Sequence, residues 1–182
     1  MLKALILIGG KSTRMGRDKF LLEPNGKPQY IHLHEMLMAL ELETFISCND
    51  GQNALIPSSY KKVLDLKDSI GPIGGLYSAI KEDPESSWLV IACDLIKINK
   101  VSLKQLIDSY SGDCDIVTFQ KEDSSYFETT ATIYKPSCFK LINEHVDTGN
   151  YSLQRILKKS KVKTLAGSDE VLKNANSSED LL

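Results

Sequence analysis

A chain of 182 residues has room for one hydrophobic core, so a single domain spanning 1–182 is expected. Its 42% hydrophobic and 25% charged residues are ordinary for a globular protein, and a formal net charge of -2 excludes a general nucleic-acid binder, which carries a strong basic excess. Four scattered cysteines (Cys48, Cys93, Cys114, Cys138) without a C-x-x-C pair exclude a zinc knuckle or redox motif and fit free thiols in a reducing cytoplasm.

Leu2 to Ile8 is nearly continuous aliphatic and stops at Gly9-Gly10, which predicts a buried strand. That apolar run meets a basic segment without cleavage-type spacing, and no stretch approaches the ~20 apolar residues of a membrane span. A cytoplasmic protein, away from membranes, is the expectation. Tyr30, Leu33, Leu37 and Leu40 recur at helical spacing between Pro28 and Leu42, with Pro28 suited to a first turn. Thr44 to Cys48 and Lys61 to Leu64 read as strands, and a helix is predicted after "GPIGG" (71–75). Trp88 to Ala92 is a second strongly apolar strand, ending at Cys93-Asp94. Val101 to Tyr110 reads as a helix, Cys114 to Phe119 and Thr130 to Tyr134 as strands, and Tyr151 to Lys159 as a helix; the run Lys158 to Lys163 reads as a basic helix end. Strands alternating with helices predict an α/β fold with a mostly parallel sheet covered on both faces. Ligands of such sheets bind at the carboxyl ends of strands, which selects the residues after Ile8, Leu64 and Ala92.

Gly9-Gly10 leads into Lys11, Arg14, Arg17 and Lys19. A strand-to-helix turn and a backbone cradle for a multiply charged anion both fit. G-x-G-x-x-G is absent, and a P-loop ending at "GKS" would need glycine where Leu5 stands. Arginine offers a planar fork to phosphate oxygens and lysine a movable point charge. Asp94, directly after a buried strand, suits either a turn or a Mg²⁺ ion that takes one or two carboxylates plus phosphate oxygens; Asp65 after "KKVL" has the same two readings. The glycines of "GPIGG" suit a close backbone approach or a tight turn, and Asn174 and Asn176 suit a ligand edge or a turn. "HEMLM" (34–38) lacks the second histidine of a zinc H-E-x-x-H, and no G-x-S-x-G supports a serine nucleophile.

Together these stretches resemble the molybdenum cofactor guanylyltransferases. "LILIGGKSTRMGRDK" (5–19) is similar to that family's L-x-G-G-x-S-x-R-M-G-x-D-K, and "LEPNGKP", "VLD", "GPIGG", "IACD", "TTATIY", "YSLQRIL" and "NANSSEDL" follow in the family's order over nearly the whole chain. The resemblance implies a Rossmann-like three-layer nucleotidyltransferase fold and transfer of GMP from GTP to the terminal phosphate of molybdopterin, with release of pyrophosphate. It implies that Leu7, Gly9 and Gly10 hold GTP through the backbone, that Arg14 and Lys19 offset phosphate charge, that Asp94 holds Mg²⁺, that Asp65 recognises guanosine and that Asn174 and Asn176 contact molybdopterin. Transient contact with molybdenum-insertion and molybdoenzyme-maturation proteins is implied in the same way. The chain departs from the family pattern at Ile8 (usually Ala), Gly74 (Ala in G-P-L-A-G) and Ile96 (the proline of P-C-D-x-P). A molybdopterin cytidylyltransferase, another nucleotidyltransferase of this fold and a non-catalytic nucleotide-binding module are the alternatives.

Overall fold

A computed structural model describes residues 1–9, 19–24, 26–67, 69–121, 124–168 and 170–173, with the side chain of Lys19 excepted. Among them the strands are β1 (Leu2–Leu7), β2 (Glu43–Cys48), β3 (Lys61–Leu64), β4 (Ser87–Ala92), β5 (Ile116–Gln120), β6 (Phe127–Tyr134) and β7 (Val162–Ala166). The helices are α1 (Gln29–Met38), α2 (Asp50–Asn53), α3 (Pro72–Glu82), α4 (Lys100–Asp108), α5 (Phe139–Asp147) and α6 (Leu153–Lys159).

One seven-stranded sheet runs β3-β2-β1-β4-β6-β5-β7. β3, β2, β1 and β4 pair in parallel, β6 lies antiparallel between β4 and β5, and β7 pairs in parallel with β5. The expected mostly parallel α/β architecture is present. Because side chains alternate across a strand, β1 feeds both faces. Ala4 and Ile6 join Leu33 and Leu37 of α1 and Leu103 and Leu106 of α4, while Leu5 and Leu7 join Ile73, Leu76 and Ile80 of α3 with Ile142 of α5 and Ile156 of α6. The sheet is therefore the middle of three layers, and the near-continuous apolar reading of β1 and β4 reflects burial on both sides.

Several boundaries differ from expectation for local reasons. α3 begins inside "GPIGG" with Pro72 at its first turn, so Gly74 and Gly75 are helical and buried. Gly75 lets this helix approach the sheet: a Cβ there would stand 2.2 Å from Ser47 Oγ and 2.6 Å from Leu7 Cδ2. The close approach read from these glycines is thus to the protein's own sheet. The basic run divides, with Lys158 and Lys159 in the last turn of α6 and Lys163 in β7. β6 starts at Phe127 rather than Thr130, and α5 was not anticipated. None of the described helices is long and apolar enough to cross a membrane.

Candidate active site at the carboxyl edge of the sheet

Parallel pairing brings the ends of β1, β2, β3 and β4 to one edge. Leu7 is level with Ser47 of β2 and with Ala92 of β4, and Cys48 is level with Leu64 of β3. Gly9 and Asp94 each lie two residues beyond the paired Leu7 and Ala92, on strands ~4.8 Å apart. Leu7 itself belongs to the floor: its side chain is buried against α3, and its carbonyl accepts the Cys93 N–H (3.1 Å).

Ile8 is fixed at three points. Its N–H donates to Ser47 O (3.4 Å), its carbonyl accepts the Gln52 Nε2–H (3.3 Å), and its side chain is buried beside Phe20 and Tyr30. The bulk that departs from the family's alanine is therefore core. Gly9 follows it, exposed. On the far side of the basic segment, Phe20 is fully buried and meets Tyr30 edge-on at 5.8 Å, so both ends of the segment are anchored in the same core cluster.

The half-buried Asp65 leaves β3 with its N–H donating to Cys48 O (3.0 Å). Its Oδ1 accepts the hydroxyl of buried Ser47 at 2.7 Å, while its Oδ2 lies 3.7 Å from where a Cβ on Gly9 would stand. Asp65 and Gly9 thus face one another across the end of β2. Burial, with Asp65 adding negative charge nearby, pushes the neighbouring Cys48 thiol up and keeps it a neutral packing group.

Asp94, half-buried, begins a compact turn. Leu95 N–H donates to Ala92 O (3.2 Å) and Ile96 N–H to Asp94 O (3.0 Å), with Leu95, Ile96 and Ile98 buried. Ile96 therefore supplies a donor that the family's proline lacks, and a buried side chain besides. The turn that carries Asp94 is built without the proline.

Because β6 is antiparallel to both neighbours, β5 and β7 end at the same edge as β4. A cleft of about 630 Å³ opens there, lined by Asn99, Ser102, Phe119, Gly167, Val171 and Leu172 among others. It is mainly apolar, with Asn99 Oδ1 capping α4 by accepting the Ser102 N–H (3.0 Å).

The fold thus brings together Leu7, Gly9, Asp65 and Asp94. Gly10, Arg14, Asn174 and Asn176 lie outside the described residues, as does the side chain of Lys19, whose backbone starts the short turn Lys19–Leu21. Sequence reasoning passed over Ser47 and Gln52. The signal for Gln52 was present: Asn49 followed three residues later by Gln is a capping pair. His34 sits edge-on against Tyr60 at 4.8 Å with burial holding its pKa down, and among the described residues no three His, Cys, Asp or Glu converge as a metal cluster.

Three relatives fit this geometry. A molybdenum cofactor biosynthesis bifunctional protein of Synechocystis is 29% identical over 98% of this chain, which spans about half (52%) of that longer protein. The molybdenum cofactor guanylyltransferase of Pseudomonas putida (strain GB-1) is 29% identical over 96% of this chain and 93% of its own length. In three dimensions, the molybdopterin-guanine dinucleotide biosynthesis protein A of Archaeoglobus fulgidus superposes with a TM-score of 0.78 at 21% identity, covering 98% of this chain and 94% of that one. The model of the MobA-like NTP transferase domain matches residues 4–165, from β1 into β7, and this chain belongs to that family.

Proposed function

We propose that this chain transfers GMP from GTP to the terminal phosphate of molybdopterin, releasing pyrophosphate. The observation that carries the reading is the meeting of Gly9, Asp65 and Asp94 at the carboxyl ends of β1, β3 and β4. A phosphate oxygen of molybdopterin attacks the α-phosphorus of GTP; the new P–O bond forms as the bond to the β-phosphate bridging oxygen breaks, and pyrophosphate takes that electron pair. No covalent enzyme intermediate is needed, so positioning and charge neutralisation carry the rate.

In this reading the β1 exit, Leu7, Gly9 and Gly10, brings backbone to the nucleotide. Arg14 and Lys19 offset charge on the phosphates, and Asp65 recognises the guanosine. Asp94 would hold Mg²⁺: a half-buried carboxylate at a strand end suits a hard cation that prefers oxygen ligands. Magnesium held there would supply Lewis-acid stabilisation of charge on the reacting phosphates. Asn174 and Asn176 contact molybdopterin; Asn174 follows Leu172, which lines the 630 Å³ cleft, by two positions, and that cleft seats the acceptor.

Pyrophosphate release from GTP with Mg²⁺ and molybdopterin tests the reading. Asp94→Ala should lower turnover about 100-fold or more while leaving the fold intact. Turnover with CTP in place of GTP would instead identify a cytidylyltransferase. Nucleotide binding without turnover would identify a non-catalytic module.

A further inference from the structure

Gln52 is the last but one residue of the single-turn α2 and is buried at 7% exposure, yet it serves a site 44 residues earlier. Its backbone N–H donates to Asn49 Oδ1 (2.9 Å), and its Oε1 accepts the Asn49 N–H (3.2 Å), closing a capping box. That second bond also orients the amide. With its oxygen committed to an N–H, the nitrogen points the other way and donates to the Ile8 carbonyl at 3.3 Å. Glutamate would complete the capping box equally well; the donor toward Ile8 is what the amide adds.

The carbonyl of Ile8 and the N–H of Gly9 belong to one planar trans peptide and point in opposite directions. Holding the carbonyl on the buried side therefore turns the Gly9 N–H outward, at an exposed position. The Ile8 N–H to Ser47 O bond and the buried Ile8 side chain fix the rest of the unit, leaving rotation of this peptide as the freedom that Gln52 removes.

We propose that Gln52 is a positioning residue for anion binding: by clamping the Ile8 carbonyl it aims the Gly9 N–H at a phosphate oxygen of the bound nucleotide. The inference rests on reading the β1 exit as the nucleotide loop. Gln52→Glu keeps size and capping acceptor but sets a carboxylate against the Ile8 carbonyl. By calorimetry with Mg·GTP at pH 8, its Kd should rise roughly three- to tenfold over wild type, the worth of one buried hydrogen bond. Lowering the pH protonates that carboxyl, whose pKa burial raises, and restores a donor; the ratio of variant to wild-type Kd should fall toward one between about pH 7 and 5. Gln52→Leu should show the deficit at every pH. Asp83→Asn, which breaks the bridge to Lys3 at the opposite end of β1, should lower stability without changing Kd. Wild-type affinity in Gln52→Glu at pH 8, or a deficit that pH does not move, would overturn the inference. If that variant does not fold, equal Kd for Gln52→Leu and Asp83→Asn overturns it, and a deficit in the leucine variant alone supports it. Absence of GTP binding by the wild-type chain would overturn the functional reading itself, and with it this inference.

Discussion

At the scale of single residues, the site is defined by what Gly9 leaves open. Among the described residues a Cβ at this position meets only Asp65 Oδ2, at an ordinary 3.7 Å, and the backbone φ is not positive. Gly9→Ala should therefore unfold within ~0.5 kcal/mol of wild type in urea. If a phosphate uses that space, GTP affinity should drop about tenfold in calorimetry; unchanged affinity would place the nucleotide elsewhere. The placement of Gly9, Asp65 and Asp94 at one sheet edge was legible, because each closely follows an apolar run and parallel strands carry their carboxyl ends to the same side. Ser47 and Gln52 were not. A serine inside "TFISC" looks like any half-polar strand position, and its value comes from Asp65, 18 residues away. A capping glutamine reads as local structure, and nothing in the sequence shows where its spare donor reaches.

At the scale of elements, α3 sits on β1 and β2 because Gly75 has no side chain. An exposed helical glycine gains up to ~1 kcal/mol on replacement by alanine. Here the added methyl would have to displace Ser47 Oγ and Leu7 Cδ2 from 2.2 and 2.6 Å, and neither is the free end of an exposed chain. Overpacking of ~1–3 kcal/mol wins. Gly75→Ala should lower the urea midpoint, and because Ser47 holds Asp65 it should weaken GTP binding too. Two elements missed from sequence, α5 and β7, share one cause, which is that polar neighbours mask a short apolar pattern. α5 carries Phe139, Ile142 and Val146 on one face, amid Lys140, Asn143 and Glu144. β7 begins within the lysine run and, as an edge strand, keeps Lys163 exposed, a placement that discourages further pairing. The antiparallel insertion of β6 had no local signal, since a strand's direction is set by the connection that precedes it.

At the scale of the whole molecule, charge organisation sets the acid limit of stability. Lys3 bridges Asp83 (2.8 Å) and Glu43 (3.2 Å), tying the entry of β1 to the end of α3 and the start of β2. The Lys3 ammonium, with Ser86 donating to Asp83 Oδ1 through its backbone, holds the Asp83 carboxyl well below the usual range, and Asp83 in turn raises Lys3. A depressed carboxyl stabilises above its unfolded pKa of ~3.9 and loses that contribution as pH falls further; a raised lysine stabilises below ~10.5 and loses it as pH rises past that value. The pair therefore contributes between about pH 4 and 10, roughly 1 kcal/mol for a partly exposed bridge. Asp83→Asn should be less stable at pH 7 by about that amount, and the gap should close as unfolding is followed below pH 4. His145 adds to the same limit from another quarter. Burial, with Lys159 and Arg155 nearby, lowers its pKa, so its neutral form favours the folded chain and acid works against it.

The sheet has a single seam. Residues up to Ala92 build β3-β2-β1-β4 by parallel pairing alone, later residues build β6-β5-β7, and the two parts meet in one register, Trp88–Ile91 against Ala131–Tyr134. Gly9, Asp65 and the strand that delivers Asp94 lie on the first side; the cleft lined by Phe119, Gly167 and Leu172 lies mostly on the second. An exchange of the second half that kept those four matched residue pairs, and the packing of α4, α5 and α6 on β1 and α3, would replace the cleft while leaving the ends of β1, β3 and β4 as they are.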